Sequence, residues 1–354
     1  MTAFEELLDT WDGETAVIRR DRETGGWIFI CIHSTRRGPA GGGTRMKIYA
    51  TPADGLEDAM RLSGAMSRKL ALAGLPFGGG KAVIAIPEIP TGQPRRELLL
   101  RYGELVASLG GTYCTSSDMN TDEADLDVIW ERTKYVFGRS VATGGSGSPA
   151  RPTALGVFHG IRASVAHLDG SDALQRRRIL IQGAGGVGSQ LADHLAEAGA
   201  SILVADVDQA RAQAVAGRVN GEVIHPDDVL HTDADVYAPC AVGGTLDIDT
   251  ASRLRCAVVA GSANNQLAQP EAAEILSQRG ILYAPDYVIN AGGAIGVAGT
   301  EQLGWSQDQV NAALEKIGET LRHVYHLSEE RSISTAAAAE AIAEERLSEP
   351  AARP

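Results

Sequence analysis

Two lysines and one aspartate stand where side chains could act on a substrate. Lys69 falls in the last turn of an expected helix that starts at Thr51-Pro52 and ends at Gly74, and Lys81 lies between Gly78-Gly79-Gly80 and an apolar strand, Ala82 to Ile86. Asp118 lies in the loop beyond a short strand, Thr112 to Thr115. Element ends present side chains to clefts, whereas a single lysine elsewhere is ordinarily a solvated surface charge. Lys81 departs from that ordinary case because three glycines let backbone approach closely and deny the ammonium bulky neighbours. If Lys69 and Lys81 share one cleft, each charge disfavours the other and burial adds to the effect. One of them would then be neutral at about pH 7 and able to take a proton.

A second constellation is built of glycine. The apolar strand Arg178 to Gln182 runs straight into Gly183-Ala184-Gly185-Gly186-Val187-Gly188, then a helix, then the buried strand Ser201 to Ala205, which ends at Asp206. Gly183 permits the tight turn, Gly185 lets a pyrophosphate approach the helix amino terminus, and Gly188 allows close helix-to-strand packing. Asp206 would accept hydrogen bonds from ribose hydroxyls and repel a 2'-phosphate, which argues for NAD over NADP. A bare glycine fingerprint is weak, and a structural turn in another α/β protein is the bland alternative; here strand, glycines, helix, strand and acid fall in order. The later runs Val236 to Cys240, Ala257 to Gly261 and Ile281 to Ala284 continue a mostly parallel sheet. Asn264 and Asn290 lie just past the ends of two of them, at the ligand-binding edge, although either could be a turn residue.

The elements that position these groups fit an ordinary globular protein. At 354 residues the chain exceeds one core and points to two domains. Thr15 to Arg20 and Trp27 to His33 look like a hairpin, Asp122 and its neighbours cap a helix, and Gln307 to Leu327 and Thr335 to Leu347 look like closing helices. Ala142 to Pro152 is a glycine- and proline-rich stretch without periodicity and reads as a flexible interdomain hinge, after which Thr153 starts a helix. The net charge of -13 leaves no basic field for nucleic acid or an anionic membrane, and no apolar run is long enough to span a bilayer. Four scattered cysteines support neither a disulfide framework nor a zinc site, and the acidic amino terminus does not look like a signal peptide. A cytoplasmic protein is expected.

Several separated strings carry a resemblance. Gly38-Pro39-Ala40 leading to Gly42-Gly43-Thr44-Arg45, Met66 to Lys69, Leu75 to Lys81, Asp118 to Thr121, Val136 to Ser140, Gly261 to Leu267 and Asn290 to Gly293 occur in order. By them the chain resembles the Glu/Leu/Phe/Val amino-acid dehydrogenase family over nearly its whole length. The resemblance implies an α/β protein of two domains. An N-terminal α/β substrate domain would take residues 1–147, with a C-terminal helix, 328–354, packing back on it. A Rossmann-type doubly wound dinucleotide-binding domain would take 148–327.

The resemblance also implies reversible, NAD-dependent oxidative deamination of an L-amino acid to the 2-oxo acid and ammonia, in a homo-oligomer and without a metal. Lys69 would grip the substrate carboxylate with help from Asn264. Lys81, its pKa lowered, would activate the water that attacks the imine, and Asp118 would exchange protons with the amino group. Gly41, Gly42, Gly43, Met66, Ala294 and Val297 would line the substrate side. Thr153, Asn290 and the loop Ala238-Pro239-Cys240 would adjoin the cofactor. The strings His33 to Gly38, Val136 to Ser140 and Leu303-Gly304-Trp305 favour phenylalanine or a similar aromatic substrate, and small Ala294 leaves room for one. Gly296 replaces an asparagine common in the leucine branch. Ser117 stands where the phenylalanine branch usually has proline, and Pro87 where the family prefers a small polar residue. A leucine or valine specificity, or a catalytically silent NAD-binding regulatory protein, are the alternatives.

Overall fold

In the computed structural model, which describes residues 3–349, the chain forms two compact units. One runs to Ser148 and takes in Val297–Gly304 and the chain from Ala343; the other comprises Pro149–Gly296 and Trp305–Ile342. No described helix is long and apolar enough to cross a membrane.

The first unit is built from α1 Ala3–Thr10, β1 Thr15–Arg20, β2 Trp27–Ser34, β3 Ala40–Lys47, α2 Pro52–Leu72, β4 Gly78–Ala85, α3 Gly92–Ser108, β5 Tyr113–Ser117 and α4 Glu123–Trp130. Its sheet has the order β1-β2-β4-β3-β5, with β3 parallel to both its neighbours. The expected hairpin is β1 with β2, paired antiparallel. Two strands differ from expectation. β3 occupies a stretch that suggested no strand, and β4 begins at Gly78, so Lys81 lies inside it instead of opening it.

Alternation along the strands sets two faces. Ile28, Ile30, Ala82 and Ile84 pack with Leu98, Leu99 and Tyr102 of α3, while Phe29, Cys31, Val83 and Ala85 pack with Leu56, Ala59 and Met60 of α2. Each fully buried Ile or Leu contributes roughly 1.5–3 kcal/mol of transfer free energy, which holds a glycine-rich strand such as β3 between better strand formers. By the same period, Lys81 belongs to the α2 face. Helix α2 is nucleated by a capping box. Thr51 Oγ1 accepts from the Asp54 N–H at 3.3 Å, the Asp54 carboxylate accepts from the Thr51 N–H at 2.8 Å, and Pro52 opens the first turn.

The second unit contains α5 Ala150–Asp169, β6 Arg178–Gln182, α6 Gly186–Glu197, β7 Ser201–Ala205, α7 Gln209–Val219, β8 Glu222–Val223, β9 Val236–Pro239, α8 Ile248–Arg253, β10 Val258–Val259, α9 Glu271–Gln278, β11 Leu282–Tyr283, α10 Asp286–Ile289, α11 Gly292–Glu301, α12 Gln307–Arg331 and α13 Thr335–Ser348. From Val297, α11 counts with the first unit, and from Ala343, α13 does so too. All six strands are parallel in the order β11-β10-β9-β6-β7-β8, a doubly wound sheet whose order reverses between β6 and β9. Of the helix expected over 328–354, residues 350–354 lie outside the described residues.

The stretch expected to be a flexible hinge is tied down as far as Gly147. The Gly145 and Gly147 N–H groups donate to the Ser140 and Arg139 carbonyls, and Ser146 donates through both N–H and Oγ to Glu301 Oε1 at 2.8 and 2.6 Å. Glycine is common here because Gly144 and Gly147 sit at φ 82° and 71°, which ring closure demands, and not because the segment is loose. Helix α5 begins at Ala150, ahead of the expected Thr153.

Candidate functional site

In the first unit, Lys81 Nζ lies 2.9 Å from Oδ2 of Asp118, with the lysine side chain 7% and the aspartate side chain 25% exposed. Strand pairing explains the meeting. Gly43 on β3 pairs with Ser116 on β5, and a Cβ at Gly43 would come within 2.9 Å of the Asp118 Cβ and 2.5 Å of the Ser117 carbonyl. Only glycine at that point lets the Asp118 side chain lie across β3 toward β4.

The same Oδ2 accepts a second charged bond, from Arg45 Nε at 2.9 Å. Arg45 Nη1 in turn donates to Asp58 Oδ2 at 2.9 Å, and Asp58 is also held by the Tyr49 hydroxyl at 2.6 Å and by Arg61 Nη2 at 2.8 Å. Burial pushes the Lys81 ammonium below the ordinary lysine range and the Arg45 charge adds to that, while Asp118 opposes it. Burial alone would raise the Asp118 carboxyl, but Lys81 and Arg45 more than reverse the effect and hold it at about 2. The pair is a buried lysine inclined to lose its proton beside a carboxylate that keeps none, an arrangement suited to moving protons.

Lys69 lies half-buried in the last turn of α2. That turn is fixed from two directions. Arg346 Nη1 donates to the Leu72 carbonyl at 2.7 Å, and α2 rests on β4 so closely that a Cβ at Gly79 would meet the Ser67 nitrogen at 2.1 Å. Around Gly41 the same face is apolar. A Cβ there would lie 3.5 Å from Leu70 Cδ1 and 3.6 Å from Phe137 Cζ, and Phe137 packs with Cys114 and Val297 in one buried cluster. Gly42 is a packing position, since its Cβ would meet the Gly80 carbonyl oxygen at 1.8 Å. Met66 is half-buried on α2.

The second unit gathers the dinucleotide residues at the switch point. Gly183 turns at φ 110° against Cys240 and Ala241, and a Cβ at Gly188 would lie 1.9 Å from the Gly183 carbonyl oxygen. Gly185, by contrast, faces open space, and α6 starts there at Gly186 and Val187 with no side-chain cap, so its first N–H groups can serve a phosphate. Asp206 is pinned to this turn, its two carboxylate oxygens accepting from the Ala184 and Asp208 N–H groups at 2.6 and 2.8 Å. Asn290 is 5% exposed. Its Nδ2 donates to the Ser262 carbonyl at 3.1 Å and to Asn264 Oδ1 at 2.9 Å, while its Oδ1 is buried with no partner among the described residues. A buried acceptor left open is what a ligand amide would satisfy, so these residues fit a nicotinamide dinucleotide. Thr153 stands in the first turn of α5, where Gly293 must lack a Cβ to clear its Oγ1.

Several expected residues are placed differently. Ala238 and Pro239 are buried inside β9, and the loop begins only at Cys240. Ala294 is half-buried and belongs to the second unit, whereas Val297 packs within the first. Gly296 abuts Pro152, whose Cβ and Cγ lie 2.6 Å from a Cβ built there, so helix packing by itself accounts for a glycine at this position. Pro87 is exposed beyond β4, against Gly25 of the first hairpin, away from Lys81. Ser117 ends β5, paired with Thr44. Arg45 and Asp58 escaped the sequence reading. The signal that could have found Arg45 is its place in the Gly42-Gly43-Thr44-Arg45 string, one strand residue pair beyond Gly43 and so on the same face.

A family model described as "Glu/Leu/Phe/Val dehydrogenase, dimerisation domain" matches residues 18–135, and one described as "Glutamate/Leucine/Phenylalanine/Valine dehydrogenase" matches 203–352. The chain is 44% identical to a valine dehydrogenase of Streptomyces coelicolor, covering 96% of this chain and 94% of that one. To a leucine dehydrogenase of Thermoactinomyces intermedius it is 39% identical, covering 97% and 93%. The crystal structure of an L-tryptophan dehydrogenase from Nostoc punctiforme superposes with a TM-score of 0.85 at 36% identity, over 98% of both chains.

Proposed function

The chain belongs to the Glu/Leu/Phe/Val dehydrogenase family and is an NAD-dependent amino-acid dehydrogenase, and from that premise we propose that it reversibly deaminates L-amino acids with branched aliphatic side chains. The observation that carries the chemistry is the buried Lys81–Asp118 pair at 2.9 Å. Lys69 holds the substrate carboxylate as a point charge, assisted by Asn264. NAD, when bound by Gly183–Gly188, Asp206 and Asn290, supplies the hydride acceptor. Asp118 exchanges a proton with the substrate amino group, and Lys81, in its neutral form, takes the proton of the water that attacks the substrate imine. Assembly of copies through the first unit is part of this reading, supported by the dimerisation-domain description of the family model.

Leucine and valine are favoured over the aromatic substrates that the local strings suggested, because the two relatives by sequence named above, each matched over more than nine-tenths of its length, are a leucine and a valine dehydrogenase. The cluster Cys114, Phe137 and Val297 supports this choice: it already fills the face beside Gly41 with apolar side chains. An aromatic substrate is the second reading, favoured by the match to the tryptophan enzyme and by the absence of side chains at Gly41. The specificity constants decide between them. The ratio kcat/KM for leucine or valine over phenylalanine or tryptophan is expected to exceed about tenfold, since a methylene or two in an apolar pocket is worth ~1–3 kcal/mol; a ratio below one selects the aromatic reading.

Asp206 sets the choice of dinucleotide in this scheme. Val207 beside it is 91% exposed, so an arginine there has room to reach a 2'-phosphate. The double change Asp206→Ser, Val207→Arg is expected to shift the NAD over NADP ratio of kcat/KM toward NADP by on the order of a hundredfold. An unchanged ratio would remove Asp206 from the ribose site.

A further inference from the structure

The reacting carboxylate has two oxygens, and the protein treats them differently. Oδ2 of Asp118 takes both charged bonds, Lys81 Nζ and Arg45 Nε, each at 2.9 Å. The Asp118 backbone is fixed separately, its N–H donating to Thr121 Oγ1 at 2.9 Å while Thr121 Oγ1 donates to the Thr44 carbonyl at 2.7 Å. No described residue bonds Oδ1. Arg45 is itself anchored, since its Nη1 meets Asp58, and Asp58 on α2 is clamped by Tyr49 and Arg61. The guanidinium side chain is 14% and the Asp58 side chain 15% exposed, so neither bond is a surface accident.

The geometry points to Arg45 as a positioning residue for the reaction. Anchored by Asp58, it joins Lys81 in holding Oδ2, so that Asp118 cannot rotate and Oδ1 alone is presented to the substrate amino group. Bidentate reach explains why arginine stands here. A guanidinium can bond Asp118 through Nε and Asp58 through Nη1 at once, which an ammonium on a flexible stem cannot do with fixed geometry. The second cation also raises the cost of charging Lys81, and so favours the neutral form that accepts a proton. The other groups around Lys81 do not duplicate this. Cys31, its partner on β2, stays a neutral thiol because burial pushes it up to about 12. Asp58 is an anion whose effect on Lys81 is opposite in sign.

This inference rests on the dehydrogenase reading, and wild type assayed first separates the two. No NAD reduction by wild type with leucine, valine, phenylalanine or tryptophan defeats that reading and this one together. With an active wild type, Arg45→Gln is expected to lower kcat by about thirtyfold with KM for the amino acid within about threefold, because orientation and not binding is lost. The acidic limb of its deamination rate should move to higher pH, since Lys81 loses a repelling neighbour. Arg45→Lys should bring the limb back toward wild type without restoring kcat. Asp58→Asn, which frees the Arg45 anchor and removes an anion that favours the charged lysine, should lower kcat by about fivefold while the acidic limb moves slightly to lower pH, and it carries the test if Arg45→Gln does not fold. A loss of rate with an unmoved pH profile, or a full rate in Arg45→Gln, overturns the assignment.

Discussion

Lys81→Ala is expected to lower the deamination kcat on the order of 10³-fold, the span that a positioned acid–base group supplies. NAD affinity should stay within about twofold, because the dinucleotide residues belong to the other unit and share no partner with Lys81. Wild-type deamination should rise with pH as Lys81 loses its proton, and because burial lowers its pKa that rise begins below the ordinary lysine range. In the variant this limb should vanish, not merely shrink. The variant should also fold as well as wild type. Removing the ammonium leaves Asp118 still bonded to Arg45 at 2.9 Å, so no buried charge is stranded. Stopped-flow absorbance of the reduced nicotinamide, with NAD binding by calorimetry, checks both halves. Retained turnover would remove Lys81 from the chemistry, and lost NAD binding would show a general defect. A protein that kept the fold only to sense NAD would lose nothing by the change, which makes the same variant the test against a catalytically silent role.

What could be foreseen of this site follows from what each segment shows locally. The doubly wound half was legible because β6 and β7 are short apolar runs and the glycines between them answer to one ligand geometry. Lys81 was legible because the apolar residues after it mark a buried strand. β3 was not. Ala40 to Arg45 contains three glycines and no β-branched or aromatic residue before Thr44, and the strand exists only because β4 and β5 offer backbone partners on both sides. With β3 unseen, Arg45 remained a loop residue and its meeting with Asp118 was invisible. Asp58 was hidden for another reason: an acidic residue on an amphipathic helix looks like solvent-facing charge until the register shows which strand lies beneath it. The glycines of the 144–147 turn misled in the opposite sense, because the same residue type serves looseness and tight hydrogen-bonded turns alike.

Asp118→Asn should be more damaging than loss of the lysine, because the ion cluster is not symmetric about their pair. It strands the buried ammonium of Lys81, while Arg45 keeps its bond to Asp58 at 2.9 Å, and Lys81→Ala strands no charge. Alongside a fall in kcat of about 10³-fold, stability at neutral pH should drop by about 3 kcal/mol, the usual cost of leaving a buried charge unpaired. The pH dependence of that loss separates charge from packing. In wild type the Asp118 carboxyl titrates at about 2 when folded against 3.8 unfolded. Its depressed folded value means that it stabilises above 3.8 and loses that contribution, about 2 kcal/mol, as pH falls toward 2. Lys81 has the opposite bearing. Its folded value lies below the unfolded 10.5, so its charged form opposes folding at low and neutral pH, and stability is regained as pH rises through that interval. Without Asp118 the interval widens downward and the recovery begins earlier. The gap between variant and wild type should therefore be widest near neutrality and narrow at both ends. Urea midpoints at fixed protomer concentration at about pH 3, 6 and 9 measure it. A gap that stays constant across that range would mean that Asp118 contributes shape and not charge, and the proton-transfer role built on the Lys81 pair would fall with it.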